Sequence, residues 1–265
     1  MATNSADALG AGHANAPRAV RRSTFFFWMS LVVLAVVLAG FGRTLFLRAF
    51  YPVPALPAYV FAHGVVMAAW CSLLVIQTSL IAAHRNDLHR YLGIAGTTLA
   101  AAMVVFGLLT ILRFPHHYSI SHGTGTNGMP QPPFAVAVEI LWGDLGVLAG
   151  FAALVATGIS LRRRPAAHKR LMLLSAMFII GPSLGRFANI PMLWGDAVPS
   201  PFLDSFSGYA EYLVLFSLVV FDLFTTRRVH WASAAGLVVY LGVDWLDHSP
   251  LAGTTVGQAL WDALK

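Results

Sequence analysis

Charge is what this chain has least of: only 11% of its 265 residues are Asp, Glu, Lys or Arg, against about 25% in an average soluble protein. With 57% hydrophobic residues and a mean hydropathy of +0.70, that shortage excludes a fold whose main solvent is water. Cysteine is almost missing as well. Cys71 is the one thiol, so intramolecular disulfides are ruled out, and its apolar neighbours mark it as a packing residue. Acidic residues number 11 against 17 Lys and Arg, for a formal net charge of +6. The excess sits in short clusters beside apolar runs, so anchoring in an anionic leaflet accounts for it and nucleic-acid binding does not. No close-spaced metal signature such as HExxH occurs.

What the chain has in abundance is apolar sequence. Stretches at 25–47, 58–81, 90–112, 134–160, 170–191, 206–225 and 231–247 each approach the roughly 20 residues that span a bilayer core. The expected fold class is all-α, a polytopic transmembrane helix bundle of seven spans. They use nearly the whole length and leave no room for a separate catalytic domain. A flexible cytoplasmic tail is expected over 1–24, the bundle over 25–247 and a short outer tail over 248–265. The run after Arg18, Arg21 and Arg22 lacks a small-residue cleavage site and is read as a retained first helix.

Orientation follows from the basic residues. Arg18, Arg21, Arg22, Arg85, Arg90, Arg162, Arg163, Arg164, Lys169, Arg170, Arg227 and Arg228 all fall on one side of the alternating connectors, twelve of the 17. By the positive-inside rule the N-terminus lies inside and the C-terminus outside. The outer connector at 113–133, with His116, His117, a Gly-rich run and Pro130, Pro132 and Pro133, predicts no regular structure. A second outer connector at 191–206, holding Trp194, Asp196 and Asp204, predicts an interfacial segment.

Ionisable residues inside the spans carry the functional reading, because charge in hydrocarbon is costly and faces a partner, water or a ligand. They are His63, Glu139, Asp144, Arg186, Glu211 and Asp244, and predicted depth gathers most of them in the outer half. His63, Trp70 and Gln77 recur every seven residues and share one stripe of the second span, while Tyr240, Asp244 and His248 form a strip on the last. Glu139 and Asp144 are five apart and point to different partners. Arg186 follows Gly181-Pro182-Ser183-Leu184-Gly185, where proline loosens the helix; Glu139 or Glu211 are its expected partners.

Three functions fit. In the first, an outer-half cavity with His63, Glu139, Arg186 and Glu211 handles a small molecule, ion or proton. The second is an intramembrane enzyme using the same four residues, with histidine titrating, a carboxylate as base and Arg186 stabilising negative charge. Its metal version draws on His63, His116, His117, Glu139, Glu211, Asp244 and His248, donors suited to zinc or non-haem iron. The third is a scaffold subunit or homo-oligomer, for which Gly93-Ile94-Ala95-Gly96 and the stretch from Gly146 to Gly150 supply close-packing surfaces.

Histidine also recurs beside the basic junctions. Leu88-His89-Arg90-Tyr91-Leu92-Gly93 is similar to a His-Arg-x-x-Gly helix entrance of some b-type membrane cytochromes. With His168-Lys169-Arg170 and Arg227-Arg228-Val229-His230 it resembles a group of uncharacterised bacterial integral membrane proteins over about 58–235. That group implies a bacterial inner membrane and lends no established activity; the cytochrome likeness implies haem b as a cofactor, with His89 and His168 as candidates to hold it. An evident matched pair of intramembrane histidines is lacking, since His63 and His89 fall at opposite ends.

Overall fold

The computed structural model describes residues 16–120, 132–188, 200–247 and 254–265. It is an all-α bundle of the multi-span membrane kind, and among the described residues four helices are long and apolar enough to cross a bilayer: Ala58–Ala82, Asn86–Ile120, Phe134–Ser160 and Ser205–Thr226. Large apolar side chains such as Leu213, Phe224 and Ile94 are 72%, 85% and 72% exposed, an outward belt that suits lipid and not water.

Helix α1 spans Ala16–Gly40, so helix already begins inside the tail expected to be flexible. It ends earlier than the predicted first span, passing through a π turn at Gly42–Phe46 and a 3-10 turn at Arg48–Phe50 into the proline-spaced segment. There the Arg48 guanidinium donates to the Pro54 carbonyl at 2.6 Å, a partner for a group that proline spacing leaves open. Helix α2 is Ala58–Ala82, and His84, at φ 58°, makes the left-handed turn into α3, Asn86–Ile120.

Helix α3 corrects the predicted outer connector. Its first residues, 113–120, are helical and include Pro115, while 121–131 lie outside the described residues. The continuation, about 52 Å of helix in all, has a partner that makes it worthwhile. Phe114 and Tyr118 meet Trp261 edge-on at 5.7 and 5.3 Å, and Trp261 is 2% exposed on the C-terminal helix α9, Thr255–Leu264. The expected outer tail is thus partly a packed helix against α3 and α4. Helix α4 is Phe134–Ser160, as predicted.

The fifth apolar stretch forms two helices rather than one. Helix α5, Pro165–Met177, starts with proline at its first turn, where no N–H is needed. Helix α6, Gly181–Ala188, restarts at Gly181-Pro182, whose missing N–H breaks the ladder. Helix α7 is Ser200–Thr226 and α8 is Trp231–Asp247, the predicted seventh stretch. The interfacial segment expected at 191–206 falls mostly outside the described residues.

The short α5 is the axis of the bundle. Ala167, Arg170, Leu171, Leu173, Leu174, Ser175, Ala176 and Met177 are all buried, as expected of a helix enclosed on every side. Around it pack α1, α2, α4, α7 and α8. Cys71 is fully buried in the same core. The α1–α6 contact is made by backbone. A methyl on Gly40 would overlap the Ser183 carbonyl, whereas one on Gly93 would meet nothing within 4 Å. Gly40→Ala is therefore expected to cost about 1–3 kcal/mol, and Gly93→Ala to be neutral or stabilising by up to about 1 kcal/mol; thermal unfolding in detergent distinguishes them.

Candidate functional site

Contacts sort the polar residues to two ends. At the arginine-rich end, the α2–α3, α4–α5 and α7–α8 turns come together. Arg170, 4% exposed on α5, reaches Asp222, 0% exposed on α7, with Nε 3.0 Å from Oδ1 and Nη2 also on Oδ1. Its Nη1 donates to the Ala166 carbonyl at 2.7 Å. The other carboxylate oxygen accepts the His230 N–H at 3.0 Å and the Ser233 hydroxyl at 2.7 Å, so Asp222 also caps the start of α8.

Beside this network stand two histidines. The His89 and His168 rings lie 6.3 Å apart, centroid to centroid. His168 Nδ1 is 2.8 Å from the Gly158 carbonyl, which fixes that ring; the Gln77 main-chain carbonyl faces His89, whose Nδ1 is shielded without a partner among the described residues.

The opposite end holds the outer-half candidates. Arg186 lies over the Phe41 ring at 4.5 Å, and its Nη1 donates to the Pro182 carbonyl at 2.9 Å. The carboxylate acting on it through space is Asp144, and Arg186 in turn acts on His63. Glu139 instead points from an exposed position of α4. Glu211 of α7 reaches the start of α6, where a methyl on Gly181 would come 2.8 Å from its Oε2, and it accepts the Tyr240 hydroxyl. Tyr212 donates to Asp244 at 2.8 Å, and its ring is 5.7 Å from that of Tyr240. One group thus joins Glu211, Tyr240, Tyr212 and Asp244, and a second joins Arg186, Asp144 and His63. His116 is exposed at the end of α3, with Nδ1 3.0 Å from the Lys265 main-chain oxygen, and His117 is half-buried beside it. His248 lies outside the described residues. Among the described residues, no three His, Cys, Asp or Glu side chains come together as a metal site.

Seven buried polar atoms have no protein partner among the described residues: His63 Nδ1, Trp70 Nε1, Gln77 Oε1, His89 Nδ1, Trp142 Nε1, Ser183 Oγ and Arg186 Nε. At about 1–3 kcal/mol each, leaving them dry would cost as much as a whole fold is worth, about 5–15 kcal/mol. Water or a polar guest is the physical remedy. Three of the seven are the heptad stripe of α2.

Three comparisons, with protein-family models, curated proteins and solved structures, give no significant match. Function therefore rests on geometry.

Asp222 is the residue that sequence reasoning missed. Its signal was an acid in the apolar run Phe221-Asp222-Leu223, one span away from a basic residue, Arg170, at the same predicted depth. Truncating it as Asp222→Ala leaves Arg170 buried and alone, with an expected loss of about 3–5 kcal/mol. The double variant Arg170→Met/Asp222→Leu should lose less than that single change; denaturant unfolding of the three proteins checks the order. His230 gives a pH signature. Burial first, then the Arg170 charge, holds its imidazole below the ordinary 6.5, and the neutral ring accepts the Ala232 N–H at 3.1 Å on Nδ1. The unfolded chain then binds the proton first, so stability falls as pH drops through 6.5 and the loss continues to the lower folded value. In thermal unfolding from pH 7.5 to 5.5, His230→Gln should show a shallower fall than wild type.

Proposed function

We propose that this is a seven-crossing membrane protein, N-terminus in and C-terminus out, that takes up protons or a small hydrogen-bonding solute at the end opposite its arginine-rich turns. Helices α5 and α6 count as one crossing, and the bacterial inner membrane is its place. Orientation is supported by the twelve of 17 basic residues that fall in or beside the connectors of one predicted side. The observation that carries the function is Arg186. It lies in electrostatic reach of both His63 and Asp144, yet its Nε and the His63 Nδ1 are shielded from solvent with no group to bond among the described residues. Arg186 thus keeps a donor for a guest, beside an imidazole whose nitrogen can donate or accept according to its tautomer.

Liposomes holding the purified protein and an internal pH dye, driven by a potassium diffusion potential, test the proton version. Wild type should move protons. Arg186→Gln and His63→Ala, each with native helix content, should lower the rate about ten- to a hundredfold, the equivalent of one charge-assisted hydrogen bond. Equal rates in all three, or none in wild type, would remove the proton reading.

The histidine pair supports a second reading, a redox protein. Two imidazoles 6.3 Å apart, one fixed through Nδ1 by a carbonyl, are a donor set that suits haem iron or another transition metal. His89 and His168 would hold it, and when bound it would supply one-electron chemistry. An absorption spectrum with metal analysis on the purified protein decides this reading: neither a Soret band nor stoichiometric metal after expression with haem and metals supplied would end it.

A further inference from the structure

We infer that the polar stripe of α2 is hydrated and forms an internal path between His63 and the His89–His168 pair. This rests on the proton reading above and adds to it a route and an exit. The stripe runs from His63 Nδ1 through Trp70 Nε1 to Gln77 Oε1, and each of these atoms is buried without a partner among the described residues. At 1.5 Å per residue the two ends are about 21 Å apart, some two-thirds of a hydrocarbon core of about 30 Å. The path does not stop in apolar packing. The main-chain carbonyl of Gln77 itself faces the His89 ring, whose Nδ1 is the fourth such atom, and His168 follows within 6.3 Å. His168 in turn contacts the Gly158 carbonyl near the α4–α5 turn, at the arginine-rich end.

The chemistry of the four groups suits water between them. Trp70 offers one donor, Gln77 Oε1 an acceptor, and each imidazole nitrogen can be either according to tautomer. Successive stations on α2 are about 10 Å apart, too far for direct bonds and spanned by short chains of water. Along such a chain each water takes up one proton as it gives up another. A proton accepted at His63 is matched by one released from His89 or His168.

The experiment reads hydration and flux separately. In the detergent-purified full chain, the Trp70 indole N–H, assigned by its loss in Trp70→Phe, is followed by NMR after transfer to deuterium oxide. The same protein in dye-loaded liposomes gives the flux of wild type, Trp70→Phe and Gln77→Leu. Exchange within minutes and a fall in flux of at least about tenfold in Gln77→Leu are expected. Thermal unfolding adds a sign: removing a dry unpartnered atom raises the melting temperature, and removing a hydrated one does not. An indole proton retained for days, with both variants more heat-stable than wild type, would overturn the path. If wild type moves no protons yet the indole exchanges rapidly, the proton function fails while the hydrated stripe stands.

Discussion

A guanidinium enclosed in the centre of an apolar bundle survives only with its counter-charge in place, and Arg170 on α5 finds that charge in Asp222 of α7. Further bonds hold both partners in place. Nη1 goes to the Ala166 carbonyl, and the second carboxylate oxygen takes the His230 N–H and the Ser233 hydroxyl from the start of α8. An apolar pair of similar volume would hold the helices about as well. What the ion pair adds is position along the axis. Ridges of Leu and Val can slide by a turn at modest cost, whereas a one-turn slip of α7 would strand two charges. Helix α6 follows α5 after a three-residue break, so this register also fixes the depth at which Arg186 meets His63 and Asp144 at the far end.

Apolar run length was enough to place α4 at Phe134–Ser160 and α8 at Trp231–Asp247, where flanking prolines and arginines mark both edges. It failed where a distant partner decides the outcome. Residues 113–120 read as a connector because Pro115, His116 and His117 look like one; Trp261, more than a hundred residues away in sequence, supplies the apolar cover that keeps them helical. The break within the fifth stretch was foreshadowed by Gly181-Pro182 as loosening, but the helix restarts there.

For the site, depth was legible and azimuth was not. A count of residues puts Glu139 and Asp144 within two turns of each other, and only the packing of α4 against its neighbours tells which faces inward. Asp144 is the one that senses Arg186, and Glu139 is exposed. Asp222 escaped notice for a related reason: it lies close to Arg227 and Arg228, where an acid passes for part of an interfacial cluster. The 7-residue stripe of α2 was legible because it carries its own azimuth. Successive heptads turn by only about 20°, so His63, Trp70 and Gln77 stay together whatever the neighbours do.

That stripe is hard to explain as packing alone. The outward side of α2 presents Phe61, Val65 and Ile76, 47%, 44% and 48% exposed, while Trp70, at 3%, turns inward. An amide and an imidazole at a lipid-facing position could at least reach toward the interface when near an end, and a Leu at position 77 would fill the interior without any unpaired acceptor. Inward polarity at every second turn of a helix otherwise built from apolar residues is therefore costly in a dry bundle. In a bundle that admits a file of water the same residues cost little, because each finds the partner that none of the described residues provides. The spacing of unpartnered atoms along α2 is better accounted for by a hydrated interior than by helix association, for which polar side chains would be bonded across the interface, as Ser30 and Thr78 are at 3.0 Å between α1 and the same α2.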